Sequence, residues 1–321
     1  MPDQAPARNQ PTAASIPAAK GGVFALGNFD GVHRGHRAVV KTTIDKARGM
    51  GVPARILTFE PHPRSIFKPN IAPFRLTPAA AKIRILRSLG IDEVIVRPFT
   101  PEFSQLTAAD FVRQVLLKDC GAQHVVAGFD FVFGHGRGGN IGLLRDWLAP
   151  EGVGVTEMTL FRDGRGEVMS SSRTRDALKL GDLETAQHIL GRSWAISGVI
   201  EHGAGRGSQQ LSIPTANIAL GEYLRPKFGV YAVLAGPVGA QKHWQGVANI
   251  GVRPTVDGRN EMLEFHLFDF SENIYGQEWE VELVDFLRPE QQFPGIDVLR
   301  RQIMQDIETA KARLAVPQRQ G

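Results

Sequence analysis

The sequence predicts an α/β chain in two parts: a parallel sheet covered by helices, then an antiparallel barrel or sandwich closed by a C-terminal helix. Three observations carry this reading. Up to about residue 190, short apolar runs alternate with segments of helical periodicity. After about residue 195, strand-like runs follow one another with turn signals between them and no helix. Finally, residues 296–314 place Ile296, Leu299, Ile303, Ile307 and Leu314 at helical spacing.

Each element is justified by its local pattern. VFALG (23–27), ARILTF (54–59), DEVIVRPF (92–99), HVVAGFDF (124–131) and GVTEM (154–158) read as strands. Between them, residues 34–50, 77–90 and 107–121 carry apolar side chains at helical spacing, and each stops near a glycine. Strand–helix alternation of this kind favours a parallel sheet covered on both faces. The segment 171–192 reads as helical and joins the halves. Beyond it, AISGVIEHG, PTANIAL, GVYAVLAG, HWQGVANIG, MLEFHLFDF and EWEVELVDFL are strands, and EVELVDF alternates with the period of two that a half-buried strand requires. The expected division is a disordered tail over 1–20, a first domain over 21–190 and a second over 191–321.

Bulk composition narrows the function classes. The chain has 321 residues, 42% hydrophobic and 22% charged, enough to fill real cores. It contains no apolar run of about 18 residues, so no membrane span is expected. The first twenty residues lack the apolar stretch of a secretory leader. A net charge of +4 suits anionic substrates such as nucleotides, while the absence of a dense basic run argues against nucleic acid as a partner. Cys120 is the single cysteine, which excludes an intrachain disulfide and a cysteine-based zinc cluster. A reducing cytoplasm is the expected compartment. Oligomeric state is left open.

The stretch LGNFDGVHRGH (26–36) follows a strand and opens a helix. Ligands of open α/β sheets bind beyond the carboxyl ends of the strands, and a helix N-terminus there presents free N–H groups that suit phosphate. Gly27 and Gly31 allow a tight turn and close backbone approach, and His33 and His36 can donate hydrogen bonds to phosphate oxygens as charge builds. A helix start with two surface histidines has the same spacing. A metal site is disfavoured by the lack of an obvious third ligand nearby.

In its longer form, GNFDGVHRGH resembles the nucleotidyltransferase signature, and specifically the adenylyltransferase module of bacterial bifunctional riboflavin kinase/FAD synthetases. TFEPHP (58–63), GFDFVFGHGRGG (128–139), SSSRTRDALKLGD (170–182) and LGR (190–192) agree in order and spacing. The second half resembles the same family's kinase module through PTANI (214–218), FGVYAV (228–233), GVANIGVRPT (246–255), EFHLFDF (264–270) and IYG (274–276). The resemblance implies a Rossmann-like nucleotidyltransferase domain, an antiparallel β-barrel riboflavin kinase domain, and two reactions: ATP-dependent phosphorylation of riboflavin to FMN, and adenylylation of FMN to FAD with release of pyrophosphate. Mg²⁺ is the implied metal.

Site residues follow from the same resemblance. His33 and His36 would hold the ATP phosphates, with Gly35 letting them approach and Gly27, Asn28, Phe29 and Asp30 shaping the pocket. SSSRTR has Ser172 where the family has threonine. Ser171 and Ser172 start a helix, where simple capping is the plain alternative. Arg173 or Arg175 would cancel charge on pyrophosphate, with Arg175 favoured by alignment. Asp130, Phe131 and Phe133 would face the flavin, although aromatics in a core strand would look the same. Thr215 and Asn217 put two oxygen-bearing side chains on one strand face, which suits Mg²⁺. Glu264 matches the family's general base, although alone it would read as an exposed strand carboxylate. One segment departs from the family: HGAGRGSQQLSIPTAN (202–217) has Ser212 and Ile213 where Gly-Phe is usual. An FAD synthetase with an impaired kinase barrel that only binds flavin is therefore the first alternative. A non-catalytic flavin-binding protein is the second.

Overall fold

The computed structural model describes residues 20–201, 214–241, 243–255 and 258–315, with the side chains of 253–255 and 258–260 left out. The expected tail, but for Lys20, and residues 202–213 of the departing segment, Ser212 and Ile213 among them, lie outside the described residues. Contacts divide the chain into two units. The first takes the residues up to Phe29, Gly35–Ile71 and Lys82–Gly166; the second takes Asp30–Arg34, Ala72–Ala81 and Glu167 onward. Two short segments of the first half of the sequence thus cluster with the second half.

In the first unit, five strands, β1 (Val23–Leu26), β2 (Ala54–Glu60), β3 (Glu93–Pro98), β4 (His124–Gly128) and β5 (Gly154–Met158), form a sheet in the order β3-β2-β1-β4-β5. Every pairing is parallel. At the centre all four residues of β1 are buried, as a sheet covered on both sides demands, whereas the edge strand β5 has no buried residue. The chain winds outward from β1 to β3 and then returns to β4 on the other side of β1. In open α/β sheets ligands bind beyond the carboxyl ends of the strands at such a reversal, and residues 27–36 follow β1 in the chain.

The helices match the expected positions with local differences. Helix α1 (Arg34–Met50) spans the expected residues and buries Val40, Thr43 and Ala47 at helical spacing. A short α2 (Pro63–Phe67) follows, capped by the His62 ring, and then α3 (Ala79–Ser88). The segment expected over 107–121 starts as α4 (Ala108–Asp110), where Thr107 caps the Asp110 N–H, and continues as a π-wound stretch over Phe111–Asp119. Phe111, Val115 and Leu116 from it pack with Phe24, Leu26 and Val125 of the sheet and with Leu144 and Leu148 of α5 (Ile141–Leu148). Cys120 is buried among them, and burial pushes its thiol up to about 11, so it acts as a small apolar side chain.

Two strand and helix boundaries are corrected. HVVAGFDF stops being a strand at Gly128, where the Phe131 N–H turns back to the Gly128 carbonyl. The helical segment 171–192 is two helices, α6 (Ser171–Leu180) and α7 (Leu183–Leu190), parted by Gly181 at φ 77° and restarted by an Asp182 cap on the Thr185 N–H. A left-handed glycine ends a helix because no Cβ opposes that conformation.

The second unit holds an antiparallel sheet of six strands: β6 (Trp194–Val199), β7 (Ala216–Ala219), β8 (Gly229–Pro237), β9 (Trp244–Thr255), β10 (Gly258–Leu267) and β11 (Glu278–Pro289). The order is β6-β11-β8-β9-β10-β7. A bridge between Glu201 and Asn217, with the Glu201 N–H donating to the Asn217 carbonyl at 2.9 Å, brings the two edges together into a barrel. Register shifts in β11 near Leu283 and Phe286 bend it as closure requires. Trp279, Val281 and Leu283 point inward at period two and meet Trp194, Tyr231 and Ile250. Helix α8 (Ile296–Leu314) lays Ile307 and Ala310 on Val230, Ala232 and Val247, while Ile296 is 43% exposed. Arg288 of β11 fixes the helix through two bonds to Asp306, 2.8 and 2.7 Å long.

Asp306 is 5% exposed. Replacing one partner of such a pair leaves the other charge stranded. Asp306→Ala is therefore expected to cost the barrel about 3 kcal/mol in urea unfolding; a change under a few tenths would mean that α8 is held by its apolar face alone.

Candidate active site

Gly27, Asn28, Phe29, Asp30 and His33 lie between β1 and α1, and Gly35 and His36 open α1. Within the second unit, Asp30 is 2% exposed and its carboxylate is saturated. Oδ1 accepts from the Leu76 and Thr77 N–H groups at 3.0 Å each, and Oδ2 accepts from Arg175 Nη2 at 2.5 Å. The Gly31 N–H donates to Thr77 Oγ1 at 2.8 Å, and the Ser171 hydroxyl donates to the Asp30 carbonyl at 2.8 Å. Gly31, at φ 87°, also needs to be glycine because a Cβ would lie 2.8 Å from Leu76 Cδ1. Asp30 thus fastens the turn rather than presenting a free carboxylate.

His33 is 8% exposed. Burial lowers its pKa to about 4; the Asp30 charge works against that shift, and the Arg175 and Arg192 charges add to it. At neutral pH the imidazole is uncharged. It can donate one hydrogen bond to a phosphate oxygen but brings no positive charge of its own. The cations supply that. Arg175 also donates from Nε to the Phe74 carbonyl at 2.9 Å and is 13% exposed at its side chain, whereas Arg173 is 35% exposed, donating to the Val168 carbonyl at 2.8 Å. Ser170 caps α6 by accepting from the Arg173 N–H, Ser171 is taken up by Asp30, and Ser172 is exposed.

Within the first unit, Phe29 is 2% exposed, sits at φ 50° and tilts against the His36 ring at 5.2 Å. A Cβ on Gly27 would press that ring at 3.2 Å. Asn28 is exposed, and its carbonyl accepts from Lys82 Nζ at 3.2 Å. Lys82, fully buried, also binds Thr58 Oγ1 at 3.0 Å and Glu60 Oε1 at 2.6 Å. Sequence reading missed this lysine; its signal would have been a cation inside an otherwise apolar helical face. In the aromatic stretch, Phe133 is 7% exposed and belongs to the core, stacked on Phe131 at 5.5 Å. Phe131 is half-buried, and Phe129, Asp130 and Val132 are the exposed members.

A second constellation lies in the barrel. β7 and β10 pair so that Glu264 stands opposite Asn217. Thr215, two residues before Asn217, donates from Oγ1 to Glu264 Oε1 at 2.7 Å. Asn217 is fully buried, and neither its Oδ1 nor its Nδ2 has a hydrogen-bond partner among the described residues. Buried amides are almost always satisfied, which singles this one out among the described residues. Beside it lies a cavity of about 300 Å³ lined by Pro214, Thr215, Phe265, His266, Phe270 and Tyr275. The His266 ring donates to the Pro214 carbonyl at 2.8 Å, and the Tyr275 hydroxyl donates to the Thr215 carbonyl at 3.2 Å. Its apolar walls with polar edges suit a flat heteroaromatic ring.

Known families match both halves of the chain. Residues 15–173 match the model of the FAD synthetase family, and residues 190–314 match that of riboflavin kinase. The chain is 39% identical over 292 residues to the bifunctional riboflavin kinase/FMN adenylyltransferase of Escherichia coli (strain K12), covering 91% of this chain and 92% of that one. The protein of the same description from Bacillus subtilis (strain 168) is 37% identical, covering 90% and 91%. A solved structure described as a macrolide-efflux protein from Streptococcus pneumoniae superposes with a TM-score of 0.80 at 29% identity, covering 92% of this chain and 95% of its own. No helix among the described residues is long and apolar enough to cross a membrane.

The buried imidazole gives a direct test. The unfolded chain binds a proton at His33 near the ordinary 6.5 and the folded chain only near 4, so acid favours unfolding across that window. Stability should therefore rise with pH from about 4 to 6.5, and His33→Gln should remove part of that slope. Imidazole NMR titration is expected to show one resonance with a midpoint near 4 that the variant lacks.

Proposed function

The chain belongs to the bifunctional riboflavin kinase/FMN adenylyltransferase family, and from that premise we propose which residues carry its two reactions. It phosphorylates riboflavin to FMN at the expense of ATP and adenylylates FMN to FAD. In the residue-level reading, the adenylyltransferase domain occupies 21–190 and the kinase domain 191–321, in the cytoplasm.

Adenylyl transfer has the FMN phosphate attack the α-phosphorus of ATP while pyrophosphate leaves. The protein has little covalent work to do, so positioning and charge stabilisation supply the rate. We assign His33 and His36 to the ATP phosphates, with Gly35 at the opening of α1 between them. Gly27, Asn28, Phe29 and Asp30 shape the turn, and Ser171, Ser172 and Arg173 offer the start of α6. Arg175 is the cation of the site: its charge adds to the lowering of the His33 pKa that burial causes, so it also reaches an anion that this ring holds. Asp130 and Phe131 face the flavin, with Phe133 as the buried ring that backs Phe131.

For the kinase, the observation that carries the reading is the unsatisfied amide of the buried Asn217 opposite Glu264. Glu264 takes the proton from the riboflavin 5′-hydroxyl as it attacks the γ-phosphorus of ATP, and ADP leaves. Thr215 and Asn217 fit Mg²⁺, a hard cation that seeks oxygen ligands. Among the described residues no cluster of three His, Cys, Asp or Glu could hold a metal alone, so the remaining ligands would be phosphate oxygens and water. Bound there, Mg²⁺ neutralises charge on the transferring phosphate.

Purified protein with riboflavin, ATP and Mg²⁺ is expected to show FMN first and FAD later when the flavins are separated over time. His36→Ala should slow FAD formation by about two orders of magnitude with FMN formation nearly intact. In contrast, Glu264→Gln should nearly abolish riboflavin phosphorylation and spare the conversion of supplied FMN to FAD, because an amide cannot accept the proton. Wild-type phosphorylation by Glu264→Gln would sink the base assignment.

A further inference from the structure

The turn that carries His33 is held by one more cation, which no step above uses. Arg192 donates from Nη2 to the Gly31 carbonyl at 2.8 Å and from Nη1 to the Val32 carbonyl at 3.2 Å. These are the two carbonyls immediately before His33. The turn needs such restraint. Gly31 has φ 87° and Val32 has φ 42°, and a β-branched residue in the left-handed region persists only where its surroundings hold it there. The amide of Gly31 and the carbonyl of Asp30 are held from Thr77 and Ser171. Arg192 takes the next two acceptors in line.

Its own position is well fixed. Gly191, at φ 69°, terminates α7 immediately before it, and β6 begins two residues after it. Trp194, at the start of β6, is 2% exposed and donates from its indole N–H to the Leu76 carbonyl at 2.8 Å. The Leu76 N–H in turn donates to Asp30. A helix end and the first barrel strand therefore grip the histidine turn at two adjoining points. Arg192 also falls in the segment that matches the riboflavin kinase model, 190–314.

We propose that Arg192 is a positioning residue for adenylyl transfer, fixing the Gly31–Val32 carbonyls so that His33 meets the ATP phosphates, and that the kinase-matching segment thereby supplies a working part of the other reaction. The proposal rests on the assignment of the His33 turn to FAD formation. A guanidinium suits the task because its planar fork spans two acceptors at once, which a lysine ammonium cannot do with the same geometry. Loss of the fork lets the turn relax, and displacement of a catalytic group by about 1 Å costs on the order of a hundredfold in rate.

The test uses the full chain and both reactions on the same preparations. Arg192→Met is expected to lower kcat for FAD formation from FMN by about ten- to a hundredfold, with a smaller change in KM for ATP. Riboflavin phosphorylation should stay within about twofold, since Glu264, Thr215 and Asn217 do not depend on the turn. Arg192→Lys should recover only part of the rate, and it carries the same test if Arg192→Met folds poorly. Wild-type FAD kinetics in both variants overturns the proposal. Equal losses in both reactions do so too, because they reveal general destabilisation. A wild-type chain that makes FMN and no FAD overturns the underlying assignment, and the proposal with it.

Discussion

The Asp30 carboxylate is the constraint on which the adenylyltransferase turn depends. An ionised carboxylate at 2% exposure is tolerable only when its oxygens are fully engaged. Here the partners come from far along the chain: Leu76 and Thr77 are 46 and 47 residues away, and Arg175 is 145 away. Within the second unit, one side chain thus ties the Asp30–Arg34 segment to the Leu76–Thr77 loop and to helix α6. With that knot in place, the backbone on either side can keep conformations that it would otherwise abandon, Phe29 and Val32 among them.

The two constellations treat polar groups in opposite ways, and the difference follows from their chemistry. Around Asp30 the carboxylate oxygens are engaged by two backbone N–H groups and Arg175, which yields a rigid turn. At Asn217 the side-chain amide is buried and has no hydrogen-bond partner among the described residues. His33 shares in the first strategy. A histidine at its ordinary pKa would be partly charged near neutrality; burial together with Arg175 and Arg192 keeps it neutral, and the permanent charge sits on the arginines.

Much of the fold was legible because its signals are local. Helix α1, β5 and α8 fall on the residues that periodicity marks, since an apolar face at the right spacing is sufficient to define them. Boundaries failed where a single residue decides: Gly181 splits a continuous helical pattern, and the Gly128–Phe131 turn cuts a strand short. The histidine turn and the Thr215–Asn217–Glu264 group were legible as motifs. Their supports were not. Lys82 reaches Asn28, Thr58 and Glu60, and Arg192 reaches Gly31 and Val32, across separations that leave no trace in any short window. Asp30 itself was read as pocket lining because its neighbours are a ligand motif, whereas its oxygens are already taken.

The bridge that brings the barrel edges together has a consequence for quality control. Asn217 contributes its carbonyl to that fastening and its amide to the kinase constellation, so one residue serves both the seam and the site. A chain whose barrel has not yet zipped shut lacks that bridge, so Asn217 is not held in register with Glu201. Only a chain that has finished folding therefore holds Asn217 in its place opposite Glu264.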